Sequence, residues 1–391
     1  MYTQNTPVHI RLWNRDFWHL AVANLMLTMA VCMQMVMACR IAPSAQEAAW
    51  SMAAFAIGML LAGPFVSFLV ERFRRNKVCV NAIIIVAACL VLPVFWSDVA
   101  NGFVWVRAVT GAGYGLAGMV LYSTLVVDTC ESHQRTEANY AVAWFGRLAL
   151  ALGPFTALVL YHKWGGTCVV WTATALALTA MVLVLVVSCP FRFPDDNRHL
   201  MSFDRFILPS AWLLMALLLI IMAAVGMVIA TQMNDKLFFA LLLVGFMMAI
   251  IAEKIVFVNA ELMSEAVAGL VLLVFALLLM MVRGEQASMM APVMVGLGTG
   301  IVGSRFLLFF IKLSDHCQRG TSQSSFFIVW ETGLAAGLTA GLGRMDGKAW
   351  DSFIHGTQHT GVLATALVLV VLALAVYVGV AHKWYLKHKN R

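Results

Sequence analysis

The chain has 391 residues, of which 62% are hydrophobic and only 12% are charged, whereas about a quarter of the residues in a soluble domain are charged. This composition excludes a soluble enzyme, a disordered chain and a coiled coil. The net charge of +7 does not indicate nucleic acid, because lysines and arginines lie in short clusters between apolar runs instead of covering one face. The long uncharged runs indicate that most of the chain lies in a lipid bilayer.

Twelve apolar segments follow one another along the chain, separated by charges and turn residues. They are residues 17–39, 48–70, 78–96, 102–127, 138–161, 167–189, 207–230, 237–252, 266–282, 288–311, 322–342 and 361–381. We predict that all twelve are transmembrane helices, because isolated strands leave their backbone groups unpaired in lipid and the alternating pattern of a membrane barrel is absent. The predicted fold class is therefore an all-α integral membrane protein.

Basic residues distinguish the two sides of the membrane. Of the 26 lysines and arginines, 17 fall in tails and loops on one side, 6 fall on the other side and 3 fall within segments. By the positive-inside rule, this bias predicts that both termini are cytoplasmic. We therefore expect a multi-pass protein of the inner (cytoplasmic) membrane.

The first half of the chain repeats in the second. Gly111, Gly113, Asp128 and Cys130 match Gly298, Gly300, Asp315 and Cys317 at a constant offset of 187. An even number of segments separates the matching positions, so both copies have the same orientation in the membrane. The prediction is two six-helix pseudo-repeated halves, residues 1–189 and 207–391, joined by a polar cytoplasmic linker at 190–206.

Three local patterns resemble motifs of the major facilitator superfamily of transporters. Residues 67–75 resemble its loop motif Gly-x-Leu-Ala-Asp-Arg-x-Gly-Arg-Arg, with Glu71 in the place of the aspartate. Residues 107–113 resemble its fourth-helix motif Arg-x-x-Gln-Gly-x-Gly, and Gly153-Pro154 resembles part of its antiporter motif. The resemblance implies the twelve-helix fold of that family, a role for Arg107 in proton coupling, and a contact between Glu71 and the start of the eleventh helix beside Arg319.

Four charged residues stand inside the predicted segments. They are Arg107, Arg147, Arg305 and Glu331. A charge in a membrane helix is costly unless it is paired or hydrated, so each has a structural or a functional reason to be there. Two interpretations stay open: these residues pair with one another, or they bind the transported species. In the second, an arginine attracts an anionic or zwitterionic solute, and Glu331, the only acid well inside a segment, binds a proton.

The candidate site residues fall into three groups. The proton-coupling candidates are Glu331 and Arg107, and the substrate-binding candidates are Arg147, Arg305, Trp144, Trp330, Gln323 and Tyr114. The gating candidates, at the cytoplasmic ends of helices, are Glu71, Arg72, Arg75, Asp128, Arg135, Asp315 and Arg319. We expect Asp128 and Asp315 to pair with Arg135 and Arg319 in this loop network. For each aromatic or polar residue taken alone, ordinary helix packing is the alternative.

No pattern in the sequence indicates a metal or a cofactor. The eight cysteines have no paired spacing. Asp351, His355 and His359 lie near one another, but Gly356 separates the histidines and no motif fixes a further ligand. A phosphate-binding Gly-x-x-x-x-Gly-Lys loop is missing from the sequence, which argues against an ATP-driven pump.

The sequence therefore predicts a secondary active transporter rather than an enzyme. We expect it to move a small organic solute by alternating access, coupled to protons, and Gly153-Pro154 favours efflux by antiport. The alternatives are an uncoupled uptake facilitator of the same fold and a membrane sensor that no longer transports. The expected partners are a small anionic or zwitterionic solute, protons and the lipid bilayer, without nucleic acid, and we expect a monomer.

Overall fold

The computed structural model describes residues 11–95, 99–188, 199–257, 261–282, 284–315, 318–345 and 360–389. Twelve helices in these ranges are long and apolar enough to cross a membrane, and no strand occurs there. The amino-terminal half contains α1 (Arg15–Ile41), α2 (Ala45–Arg72), α3 (Arg75–Phe95), α4 (Gly102–Asp128), α5 (Arg135–Trp164) and α6 (Gly166–Val186). The carboxy-terminal half contains α7 (Pro209–Thr231), α8 (Lys236–Ile255), α9 (Leu262–Met281), α10 (Gln286–Leu313), α11 (Arg319–Leu342) and α12 (Thr360–His388). The predicted all-helical fold with twelve spans is confirmed.

Two helices of the second half extend past their predicted ends and include acidic residues. The predicted segments ended at 252 and began at 266, but α8 continues through Glu253 and α9 holds Glu265 in its first turn. A segment cut at charged residues leaves out the acids that a helix end accommodates. An acid in the first turn of a helix is also favoured by the partial positive charge of that end.

Local sequence sets the start of several helices. The Asn14 side chain accepts a hydrogen bond from the backbone N–H of Phe17 at 2.8 Å, and Ser44 Oγ accepts one from Glu47 at 3.2 Å. These contacts satisfy backbone donors that have no partner within the first helical turn. Gly165 adopts a φ of 83° in the tight turn between α5 and α6, a conformation that glycine adopts without strain.

The same pairs of helices pack in both halves. In the first half α1 packs against α5 and α6, α2 against α4, and α3 against α4 and α6; in the second half α7, α8 and α9 make the corresponding contacts with α10, α11 and α12. Close approach in α2–α4 and α8–α10 depends on glycine, because a Cβ on Gly58 or Gly245 would overlap the backbone of Ala108 or Val293. Between the halves, α2 packs against α11 and α5 against α8.

The halves touch at both ends of the molecule. We call the end that carries linker residues 199–206 the linker face and the opposite end the distal face. At the distal face Arg40 Nη2 donates a hydrogen bond to Asn234 Oδ1 at 2.6 Å, from the end of α1 to the loop after α7. At the linker face the Tyr140 hydroxyl of α5 donates to Glu253 of α8. The conformation is therefore closed on both sides, with the interior between the halves.

Candidate functional site

Helices α1, α4, α5 and α11 enclose a small cavity between the two halves. The residues that line this central cavity are Thr28, Tyr114, Tyr122, Ala143, Gly146, Arg147, Gln323, Phe326, Phe327, Trp330 and Glu331. In this closed conformation it has room for about one water molecule. Four predicted substrate-binding residues, Tyr114, Arg147, Gln323 and Trp330, thus share one cavity with Glu331.

Arg147 is 2% exposed and has no acidic partner in the described ranges. Its Nη1 donates a hydrogen bond to Ser304 Oγ of α10 at 2.6 Å, which connects the two halves. The guanidinium carbon lies 4.8 Å from the ring centre of Trp144, 5.5 Å from that of Trp330 and 5.7 Å from that of Phe326. Nε and Nη2, on one edge of the guanidinium, have no hydrogen-bond partner. This edge can hold a carboxylate through two parallel hydrogen bonds.

Two glycines of α10 make room for the aromatic rings around this guanidinium. A Cβ on Gly303 would overlap the Trp330 ring and crowd Arg147, and a Cβ on Gly300 would press on Trp144. Trp144 comes from the first half and Trp330 from the second. The glycines of α10 therefore allow both halves to contribute a ring to the surroundings of Arg147.

Glu331 lines the same cavity as Arg147 but forms no ion pair with it. The Tyr114 hydroxyl donates to Glu331 Oε1 at 3.2 Å, and the Thr28 hydroxyl is 3.2 Å from the Tyr114 oxygen. In the described ranges no lysine or arginine nitrogen lies within 4 Å of the Glu331 carboxylate. The internal ion pair between Glu331 and Arg147, one of the two interpretations of the sequence, is thus not formed in this conformation.

Further buried polar atoms at this cavity lack a partner. Gln323 is fully buried, and neither its amide oxygen nor its amide nitrogen has a hydrogen-bond partner. The indole nitrogen of Trp144, beside Arg147, is also unpartnered. Because an unpaired buried polar group costs about 1–3 kcal/mol, several of them around one cavity indicate groups that pair when a ligand is bound.

Another part of the cavity wall comes from a turn of π-helix at Leu121–Leu125 in α4. It carries Tyr122, whose oxygen accepts a hydrogen bond from the Asn24 side chain at 2.8 Å; the same amide nitrogen donates to the Val142 carbonyl at 3.0 Å. A Cβ on Gly146 would crowd the Tyr122 hydroxyl and Asn24. Unlike Gln323, this part of the wall is internally satisfied. Such single π-helical turns are frequent at functional sites.

Arg107 lies toward the distal face, next to a second small cavity that it shares with Glu331. It is 2% exposed, so it does not reach the membrane surface, which was the alternative to a coupling role. Its Nη1 donates to Gln34 Oε1 at 2.8 Å, and its guanidinium carbon lies 4.5 Å from the ring centre of Phe55. Glu331 therefore shares one small cavity with Arg147 and another with Arg107.

Arg305, the remaining arginine inside a helix, has a different environment. It forms an ion pair with Glu265 of α9, a residue that is 1% exposed. Arg305 is not among the residues that line the central cavity. The structure thus separates Arg305 from the other substrate-binding candidates.

The sequence match to a protein family and the twelve-helix fold identify the same class of protein. Residues 19–338, about four fifths of the chain, match the profile of the Major Facilitator Superfamily. The chain belongs to this superfamily. Membership agrees with the twelve helices and the paired halves, and it identifies a multi-pass membrane protein of a transporter superfamily. No curated protein sequence matches this superfamily member significantly.

Solved transporter structures share the fold of this superfamily member. The POT family transporter PepTSo superposes with a TM-score of 0.71 at 10% identity, over 96% of this chain and 99% of that one. The human organic anion transporter TETRAN superposes with a TM-score of 0.65 at 13% identity, over 92% of this chain and 98% of that one. An auto-inhibited POT family peptide transporter superposes with a TM-score of 0.65 at 11% identity, over 97% of this chain and 98% of that one. Identities this low show a common fold.

At the linker face, two linker residues join the halves of this superfamily member. Arg205 Nη2 lies 3.5 Å from Glu71 Oε1 at the end of α2. The Arg205 backbone N–H donates to Thr321 Oγ1 at 3.0 Å, and the Thr321 hydroxyl donates to Asp204 at 2.9 Å. We expected Arg319 as the basic partner of Glu71, and the structure places Arg205 there instead. The reason is that the linker runs between the end of α2 and the start of α11.

The backbone of Arg205 is itself unusual. Its φ of 57° is the only positive φ of a non-glycine residue in the described ranges. This left-handed conformation costs about 1–2 kcal/mol for an ordinary residue. Burial and the nearby Arg75 guanidinium lower the pKa of Arg205, while the carboxylates of Asp204 and Glu71 oppose this shift. Surrounding contacts must therefore hold Arg205 in place.

The other gating candidates all lie at the linker face. Asp128, expected to pair with Arg135, instead forms an ion pair with Arg75 at the start of α3. Arg72 is exposed, with its guanidinium carbon 6.0 Å from the ring centre of Phe68. The remaining three candidates are Arg135, which begins α5, Asp315, which is exposed, and Arg319, which begins α11.

Sequence reasoning did not single out four residues of these networks. They are Arg205, Glu253, Glu265 and Ser304. The sequence carries no signal for Arg205 or Ser304, because their partners are distant in the chain. The two glutamates could have been found by extending the predicted segments past their terminal charges. Asp351, His355 and His359 lie outside the described residues.

Proposed function

We propose that this protein is a proton-coupled secondary transporter of small organic solutes that bear a carboxylate or another anionic group. One observation carries the proposal: Arg147 Nε and Nη2 and the Gln323 amide are buried and unpartnered at the cavity that also holds Glu331. The paired six-helix halves are suited to alternating access around a site at this depth.

The arginine edge supports an anionic group in the solute. A guanidinium binds a carboxylate or phosphate through two parallel hydrogen bonds, and here the third donor group is already used by Ser304. The Gln323 amide offers one donor and one acceptor to a second polar group. Two of the solved neighbours are named for organic anions and for peptides, and both kinds of molecule bear a carboxylate or a comparable anionic group.

Glu331 supports coupling to protons. An anion bound at Arg147 repels an ionised Glu331 across the same small cavity, so binding of the anion and protonation of Glu331 favour one another. This linkage predicts that anion and proton travel together. Efflux by antiport, which Gly153-Pro154 favours, requires instead that solute and proton exclude one another at Glu331, as they would if the solute were a cation.

The first experiment finds a solute. Purified protein is heated with a panel of carboxylic acids and, as matched controls, their neutral amides, because a ligand that binds the folded state raises its apparent stability. We expect stabilisation by some acids and by none of the matching amides. Stabilisation by organic cations alone would contradict the proposed solute class and favour the antiport alternative.

The second experiment tests the proton site in proteoliposomes that contain such an acid. Glu331→Gln is expected to abolish accumulation driven by a proton gradient while leaving solute exchange at equilibrium. Glu47→Gln, an exposed change at the distal face, is the matched control. A Glu331→Gln protein that still concentrates the acid would show that Glu331 does not carry the proton, whereas an uncoupled facilitator would concentrate nothing even as wild type.

The third experiment tests the arginine edge. Arg147→Lys keeps the charge but removes the forked geometry, so we expect binding of the acid to weaken about tenfold to a hundredfold. Arg344→Lys, an exposed change beyond the end of α11, is the matched control. Unchanged affinity in Arg147→Lys would place the anion elsewhere.

The cytoplasmic position of the termini is part of this proposal. It is supported by the bias of 17 to 6 basic residues. A reporter that is active only outside the cytoplasm, fused after Arg391, should give no signal. Strong signal would reverse the orientation and exchange the faces on which solute and proton enter.

A further inference from the structure

A second group of buried charges lies between the central cavity and the linker face. Glu265 of α9 forms an ion pair with Arg305 of α10. Glu253 of α8 interacts electrostatically with both of them, and its Oε2 accepts a hydrogen bond from the Tyr140 hydroxyl of α5. The group thus contains two carboxylates and one guanidinium. With both acids ionised it carries one negative charge that is not balanced within the group.

The excess charge falls on an oxygen that lacks a partner. Glu253 Oε1 is shielded from solvent and accepts no hydrogen bond. A buried anionic oxygen without a donor is unfavourable, but a protonated one can donate. The Ser304 side chain lies beside this carboxyl group. We propose that Glu253 is a second proton-binding site of this protein, separate from Glu331.

Ser304 connects this site to the central cavity. Its Oγ accepts the hydrogen bond from Arg147 Nη1 at 2.6 Å, so a single hydroxyl separates the Arg147 guanidinium from Glu253. Positive charge on Arg147 favours the ionised form of Glu253, and an anion bound at Arg147 offsets that effect. Solute and proton therefore favour one another here as well, a linkage that rests on the proposed function.

The contact with Tyr140 gives the site a direction of access. Tyr140 belongs to α5 and Glu253 to α8, so separation of the halves at the linker face breaks this hydrogen bond and opens Glu253 toward that face. The charged groups around the carboxylate are Arg305 and Glu265 in the second half and Arg147, through Ser304, in the first; Lys254 on the same helix is exposed. The geometry fits a proton that is released at the linker face.

The test counts carboxyl groups that change protonation, by infrared difference spectra of the full-length protein in lipid nanodiscs across the physiological pH range. No solute is needed. Glu253→Gln should remove one titrating carboxyl group, and Glu261→Gln, an exposed change before α9, is the matched control. Glu331→Gln should leave the Glu253 signal in place. If the wild-type protein shows the Glu253 signal but lacks the Glu331 signal, the proposed function fails, whereas Glu253 remains a proton-binding site.

Two further variants test the charge argument and keep the Glu253 carboxylate. Glu265→Gln makes the group neutral with Glu253 ionised beside Arg305, so the Glu253 signal should disappear from this pH range. Arg147→Met removes the favourable positive charge, so the midpoint of the signal should move to higher pH. An unchanged number of titrating carboxyl groups in Glu253→Gln, or a Glu253 signal unchanged in Glu265→Gln, would overturn the proposal. Tyr140→Phe, which should shift the midpoint, serves if Glu253→Gln does not fold.

Discussion

Apart from the linker-face ion pair of Arg75 with Asp128, the interior of the amino-terminal half holds two arginines without an acid, whereas that of the carboxy-terminal half holds one arginine with three acids. In the first half Arg107 and Arg147 rest on aromatic rings and on neutral hydrogen-bond acceptors. In the second half the corresponding interior residues are Glu253, Glu265, Arg305 and Glu331. Of these four, only Glu265 and Arg305 form an ion pair with each other. The halves repeat one another in helix packing, but they differ in the sign of their buried charge.

Under the proposed function, this difference assigns solute binding to the first half and proton binding to the second. Guanidinium donors that are not neutralised by a neighbouring acid remain available to an anion, and that property belongs to the first half. Carboxylates that are not neutralised by a cation can take up protons, and that property belongs to the second half. Under the proposed function, alternating access would move one half against the other and change the exposure of the solute and proton sites in a single step.

The largest effect that would sharpen this comparison is expected from the ion pair of Arg305 with Glu265. Arg305→Gln leaves Glu265 and Glu253 without a cation, and the free energy of unfolding should fall by about 3–5 kcal/mol. Thermal unfolding of the purified protein measures this, with Lys312→Gln on the exposed side of the same helix as control. Adding Glu265→Gln should restore much of the loss. An Arg305→Gln protein as stable as wild type would show that this pair does not hold the second half together.

An intermediate effect is expected at the linker face, where the acids of the two halves also differ. Glu71 of the first half meets the cation Arg205, whereas Glu253 of the second half meets the neutral Tyr140. Glu71→Gln weakens a contact that exists only while this face is closed. We expect about a tenfold rise in the population open at the linker face, which corresponds to about 1.4 kcal/mol.

Thiol labelling of Ser324→Cys, a buried position on the linker-side part of α11, measures that population. Cys130 and Cys317 are replaced to remove background, although burial raises the pKa of Cys130 to about 11 and thus slows its reaction. Arg205→Gln should give the same increase, and the double variant no more than either one. Equal labelling in wild type and Glu71→Gln would mean that Glu71 is a surface charge and not part of a gate.

The smallest effect on stability is expected from an arginine of the first half. Arg107→Met removes a buried charge that has no acidic partner, so no opposite charge is left behind. We expect the free energy of unfolding to change by less than about 1 kcal/mol, the contribution of the hydrogen bond to Gln34. The same unfolding assay applies. A loss as large as that of Arg305→Gln would break the comparison between the halves.

Much of the candidate site could be predicted from the sequence, because the internal repeat limits which positions of the helices can face one another. Trp144 and Trp330 occupy corresponding positions of the fifth and eleventh helices, and Arg147 and Glu331 lie within a turn of them. Helices in corresponding positions face the same axis, so these residues meet around one cavity. Arg305 shows the limit of this reasoning, because its depth in α10 is suitable but its side chain turns toward α9.

The number and order of the helices were determined by the sequence alone, since a helix must be long and apolar to cross lipid. Which charged groups meet was decided only by the tertiary structure. Ser304 touches Arg147, and Arg205 rather than Arg319 reaches Glu71, because such contacts depend on how each helix is rotated and on the path of the linker. Hydropathy is insensitive to rotation about a helix axis, and that rotation sets every partner in this interior.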